Sequence, residues 1–170
     1  KYNINTLAFI MLGIPQETEN TVKDTIHLLS RIKPYLIRPA FIFPIYGTDF
    51  YNYCEENGLL KEDVDKSTTY LWTGGVPIIL KGISEDILFR YMLLLPWYIN
   101  LELGLNEYRK VVEDYELNAE LKNKANYNSI FESVLKKDAQ ISKKLTKRKI
   151  SHYNYLNQEL SYLRYNSNFN

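Results

Sequence analysis

The 170-residue chain is 45% hydrophobic and 24% charged, which excludes a disordered segment, a collagen-like repeat or a small disulfide scaffold and suits one globular domain with a sizeable core. Its formal charge of +1 gives no global attraction to nucleic acid or acidic lipid. A single cysteine, Cys54, leaves no intrachain disulfide and no all-cysteine metal site, and points to a reducing, cytoplasmic setting. The chain opens on Lys1 rather than Met, as expected of a processed or excised piece of something longer. The best membrane-spanning candidate, Tyr91 to Leu101, has 11 residues and contains Pro96 and Asn100. A spanning helix needs roughly 20 residues, so no membrane partner is expected.

Leu7-Ala8-Phe9-Ile10-Met11-Leu12 is a continuous apolar run closed by Gly13-Ile14-Pro15, and predicts a strand buried on both faces of a parallel sheet. Thr18 is a good N-cap for a following helix, with Glu19 in its first turn. Val22, Ile26, Leu29 and Ile32 form its apolar stripe, and Lys33-Pro34 stops it. Ile37 to Phe43 reads as a second strand, weakened by Pro39, so the unit is a right-handed βαβ crossover with parallel strands. Pro44-Ile45-Tyr46-Gly47-Thr48 turns into another helix, capped by Thr48 and ended at Gly58, with Leu59 and Leu60 packing back.

Lys61 to Gly75 reads as loop and Val76 to Leu80 as a short strand. Ser84 caps a further helix with Ile87, Tyr91, Leu94 and Leu95 as its stripe, which Pro96 kinks or ends. Helical patterns then continue to about Tyr165, least clearly between Ser151 and Asn157.

Charge divides the chain near Tyr115. Residues 1–115 hold 11 Lys/Arg against 15 Asp/Glu, and residues 116–170 hold 10 against 5. The expected organisation is therefore an α/β unit over 1–115 and a basic helical region over 116–170.

The most specific stretch is Phe9-Ile10-Met11-Leu12-Gly13-Ile14-Pro15-Gln16-Glu17-Thr18, with Phe43-Pro44-Ile45-Tyr46-Gly47-Thr48 and then Glu55-Glu56-Asn57-Gly58-Leu59-Leu60. It resembles the second half of the catalytic barrel of radical SAM enzymes, in which a strand ending Gly-x-Pro-Gly-Glu-Thr precedes a helix. The next strand of that barrel ends in Pro-x-x-Gly-Thr. The trailing Gly-Leu-Leu is closest to the cobalamin-binding subgroup. One departure is Gln16, where the family usually has Gly.

The resemblance implies a partial parallel (β/α) barrel followed by a helical C-terminal region. It implies that Met11, Gly13, Phe43, Pro44 and Ile45 line the adenine of S-adenosylmethionine, with Gly13 letting the ligand approach the backbone. It also implies a 4Fe-4S cluster, with cobalamin as a further cofactor, in a parent enzyme acting on an unknown substrate. The family's Cys-x-x-x-Cys-x-x-Cys loop is absent, so this chain is expected to be an inactive C-terminal fragment with no catalytic or metal-ligating residue of its own. Cys54 reads as a small buried hydrophobe.

Removal of upstream strands would leave the edge of Leu7–Leu12 unpaired and apolar, so self-association through it is expected. His27 and His152 lack a partner at ligand spacing, and Glu62-Asp63-Val64-Asp65 reads as a solvated loop.

A rival reading is a non-catalytic interaction module, or a nucleic-acid-binding tail on a degenerate barrel. Its basis is Lys143, Lys144, Lys147, Arg148 and Lys149 followed by Tyr153, Tyr155, Tyr162 and Tyr165, a pattern that suits phosphate contacts with base stacking. The plainer reading of that tail is a basic amphipathic helix burying Leu145, Ile150, Leu156, Leu160 and Leu163.

Overall fold

The computed structural model describes residues 4–62, 64, 75–117, 127–156 and 162–167. Among them the architecture is mixed α/β, with five α-helices and one open four-stranded sheet, and no closed or partial barrel. The elements in order are β1 (Leu7–Leu12), α1 (Glu19–Ile32), β2 (Leu36–Phe41), α2 (Asp49–Glu56), α3 (Glu85–Glu102), a 3-10 turn (Asn106–Tyr108), α4 (Arg109–Glu116), α5 (Tyr127–Lys147), β3 (His152–Tyr155) and β4 (Leu163–Asn166). The sheet order is β1-β2-β4-β3. Only β1 and β2 are parallel; β4 runs antiparallel to both β2 and β3.

The βαβ unit forms as its sequence predicts. Thr18 accepts from the Thr21 amide, and the Thr21 hydroxyl accepts from the Thr18 amide, so each satisfies an orphan donor of the first turn of α1. Val22, Ile26 and Leu29 are buried. Ile32, the last residue of the expected stripe, is 57% exposed.

Pro39 lies inside β2 without breaking it, and backbone direction explains why. The Leu36 amide donates to Thr6 O and the Ile42 amide to Leu12 O, so even-numbered residues of β2 face β1. Pro39 therefore points its missing donor toward β4, which pairs β2 only at Leu36 and Ile37 and has ended before Pro39 is reached.

Several expectations for later segments are corrected. Val76 to Leu80 forms no strand, only an isolated bridge between Ile78 and Leu60. Pro96 does not end α3, which runs on to Glu102. Its residues are buried on several sides (Leu88, Leu93, Leu94, Leu95, Trp97 and Ile99), and that packing offsets the roughly 3 kcal/mol a mid-helix Pro costs.

The tail is not continuously helical either. After α5 it becomes the β3–β4 hairpin, and β4 joins the same sheet as β1 and β2. Leu160 lies outside the described residues. Among the described residues no helix is long and apolar enough to cross a membrane.

The two edges of the sheet differ. At the outer edge of β3, the Asn100 side chain accepts from the Tyr153 amide at 2.7 Å and donates to the Tyr153 carbonyl at 2.8 Å, standing in for a neighbouring strand. Asp138 Oδ2 accepts the next outward amide, that of Tyr155, at 3.1 Å. At the other edge, β1 has no partner among the described residues.

Truncating Asn100, which is fully buried, strands both backbone groups of Tyr153. Asn100→Ala is expected to cost about 2–4 kcal/mol in denaturant unfolding. A loss below about 0.5 kcal/mol, as for an ordinary surface site, would show that the edge is not held this way.

Candidate functional site

The strand-to-helix turns after β1 and β2 lie side by side at the carboxyl ends of the two parallel strands, where ligands bind in α/β sheets. They share one design. In the first, the Glu17 amide donates to Ile14 O, closing a turn with Pro15 at its second position and Gln16 at φ +71° at its third. In the second, the Thr48 amide donates to Ile45 O across Gly47 at φ +83°. Both are type II turns, whose third position is left-handed and favours Gly. Thr48 then accepts from the Tyr51 amide and caps α2.

Each residue of the first motif thus has a local duty. Pro15 pre-sets the turn, Gln16 occupies the left-handed position where the resembled family has Gly, and Thr18 caps α1. The Glu17 carboxylate is buried and accepts the Gly13 amide. Burial pushes its pKa above the usual carboxylate range, more than the Gly13 amide lowers it.

Gly13 sits at φ +86°. A Cβ there would lie 3.1 Å from Val76 Cγ1 and 3.3 Å from Leu88 Cδ2. The space opened by its missing side chain is filled by the core and faces no cleft.

The other expected ligand residues are spread between surface and interior. Met11 and Ile45 are 62% and 52% exposed, Phe43 is half-buried and Pro44 is buried. Met11 belongs to a face the sequence did not reveal. Side chains of Ala8, Ile10 and Leu12 point to the core, while Leu7, Phe9 and Met11 point outward, so β1 is covered on one side only. This corrects the expectation of burial on both faces.

Cross-strand partners share a face, so Leu36, Arg38 and Ala40 of β2, Arg164 of β4 and Asn154 of β3 lie on that same outer side. Arg38 places its guanidinium 5.8 Å from the Phe9 ring centre and 5.2 Å from that of Tyr162. Sequence reasoning passed over Arg38. The signal was present, since a cation inside an apolar strand marks an open side.

Chemically, the β1–β2 end of this face offers apolar surface and one cation. It has no acid, base or nucleophile among the described residues. Two titratable groups elsewhere are structural. His152 is fully buried, with Nε2 2.8 Å from Ser142 Oγ and Nδ1 2.7 Å from Ile150 O. A carbonyl holds Nδ1 where a nucleophilic triad has a carboxylate, and the imidazole is sealed in the core. Burial pushes its pKa down. His27 makes an exposed 3.3 Å contact with Glu102.

Cys54 is fully buried in α2, and burial raises its thiol pKa. Among the described residues no three metal-ligating side chains converge. Asp63 and Asp65 lie outside the described residues.

Of the four tail tyrosines, Tyr162 and Tyr165 are half-buried. Tyr153 and Tyr155 are buried, with hydroxyls donated to Pro34 O and Leu93 O. The chain matches no protein-family model, no curated protein and no solved structure.

Two predictions follow from local geometry. Gln16→Gly relieves a left-handed non-glycine residue and is expected to add about 0.5 kcal/mol, the strain released exceeding the added unfolded-state entropy. Gly13→Ala meets both a positive φ and a filled space and is expected to cost about 2–3 kcal/mol. A Gly13→Ala protein of unchanged melting temperature would overturn the packing role.

A third prediction concerns Asp138, whose Oδ1 accepts the Trp97 indole N–H at 2.8 Å. Burial pushes its pKa up to about 6, against the lowering effect of its two hydrogen bonds. The folded state therefore holds this proton more tightly than the unfolded chain. The stabilisation is full below the ordinary carboxylate range and is lost as pH rises through about 6. Between acid and neutral pH this amounts to roughly 2–3 kcal/mol. His152, with its lowered pKa, acts in the opposite sense. The difference in unfolding free energy between wild type and Asp138→Asn, followed against pH, isolates Asp138. A flat difference from pH about 4 to 7, where an unshifted carboxylate is already largely ionised, would refute it.

Proposed function

We propose that this chain is the C-terminal part of a radical SAM-type catalytic barrel, supplying the adenine side of the S-adenosylmethionine site and part of the substrate wall of a parent enzyme. The observation that carries the reading is the state of β1. It is apolar on both faces, yet among the described residues only one face is packed and its edge is unpaired. A strand of this composition is at home where both faces and both edges are covered. Further barrel strands would cover the edge, and ligand and substrate would occupy the open face. The β1-α1-β2-α2 order, the parallel pairing and the two left-handed turn positions at Gln16 and Gly47 agree with the motif resemblance.

The cluster itself does not fit this chain. One cysteine cannot supply three thiolates, and Cys54 is sealed in the core. No step through a cluster is assigned to these residues.

Adenine fits better. Met11 and Ile45 present exposed apolar side chains at the carboxyl ends of the strands, and the half-buried Phe43 stands beside them in sequence. In this reading they bind and orient the base, and the sheet excludes water beneath it. Gly13 serves indirectly, by shaping the turn rather than by contact through its open side.

The test uses the full reading frame containing this sequence. Three closely spaced cysteines should precede it, and the anaerobically reconstituted product should bind iron and cleave S-adenosylmethionine. Met11→Glu with Ile45→Glu should weaken cofactor affinity about tenfold or more while iron content holds. A frame without those cysteines, or unchanged affinity in the double variant, would overturn the proposal.

A further inference from the structure

The other end of the open face carries a different chemistry, independent of the barrel reading. There α5 and the β3–β4 hairpin border an open groove of about 490 Å³, within the size range of small-molecule sites. Lys143 and Lys147, one turn apart on α5, share its wall with Arg164 of β4. None of these three cations is ion-paired to another described residue. Asp138 is the only acid among the described lining residues, so the groove carries a net charge of three minus one, +2. Both Asp138 oxygens are already engaged, by Trp97 and by the Tyr155 amide.

A second observation points into the same space. Asn154 and Arg164 face each other across the β3–β4 ladder and both line the groove. Asn154 Oδ1 and Arg164 Nε are buried, and neither has a hydrogen-bond partner among the described residues. The unmatched Arg164 Nε–H calls for an acceptor. The oxygens of a phosphate monoester accept from guanidinium and ammonium groups, and its charge near neutral pH, about −1.5 to −2, matches the charge of the groove. Leu135, Ala139, Leu156 and Tyr155 supply an apolar wall beside the charged one.

We propose that this groove binds a small phosphate ester with an apolar body, the phosphate held by Lys143, Lys147 and Arg164 and the body laid against Leu135 and Leu156. The burial of Tyr153 and Tyr155 removes two of the rings on which a nucleic-acid strand would stack, which favours a small ligand.

Phenyl phosphate, inorganic phosphate, phenol and a single-stranded oligonucleotide are the probes, titrated into the full chain with amide chemical shifts recorded. Phenyl phosphate should saturate and bind more tightly than either inorganic phosphate or phenol, with shifts centred on the second half of α5, Asn154 and Arg164. Lys143→Gln with Lys147→Gln alters only exposed helix positions and keeps the fold, which its melting temperature checks. It should weaken phenyl phosphate binding about tenfold or more. Lys144→Gln, exposed on the same helix but outside the groove, should leave binding unchanged. Absence of saturation at millimolar phenyl phosphate, an equal loss in Lys144→Gln, or tighter binding of the oligonucleotide with the same lysine dependence would overturn the proposal.

Discussion

Two buried side chains, Asn100 and Asp138, complete the hydrogen bonding of β3, and the C-terminal half of the molecule is organised around them. A buried backbone donor without a partner is expensive, so a short hairpin cannot settle against a helical core unless something answers its outward groups. Asn100 answers from α3 and Asp138 from α5, and Asp138 also fixes the Trp97 indole. One network therefore sets the distances among α3, α5 and the hairpin, and β4 then carries that arrangement to β2. The ion pairs between described residues are surface contacts by comparison, apart from the half-covered Lys61–Glu85 pair.

What could be read from the sequence was what local chemistry decides. Thr18, Thr48 and Ser84 cap the helices they were expected to cap, because a cap needs only the residues next to it. The bounds of β1 follow from an apolar run and the Gly-x-Pro that closes it. What could not be read depends on distant partners. His152-Tyr153-Asn154-Tyr155 alternates with the period of a strand and is rich in Tyr, yet its Asn/Lys/Tyr surroundings masked a four-residue signal. Pro96 reads as a helix breaker until the core around α3 is known. The apolar run of β1 records that both faces avoid water, not what covers them.

The candidate site divides in the same way. Met11, Ile45 and the two turns lie together because strand order and turn chemistry put them there. Gly13 was legible as a special position, but not the direction in which its missing side chain points, since Val76 and Leu88 come from a loop and a helix far along the chain. Arg38 and the Arg164–Asn154 pair became visible only through strand register, which no local pattern gives.

The unequal edges also limit how this chain can assemble. A sheet with two bare edges adds copies at both ends and grows into a filament. Here the β3 edge is already occupied by the protein's own side chains, and β1 alone is free among the described residues. Leu7, Phe9 and Met11 turn their backbone groups outward at that edge, since the even-numbered residues between them face β2. Two such rows meeting antiparallel about Phe9 satisfy each other and leave no edge for a third copy, so association by strand pairing closes at a two-fold pair.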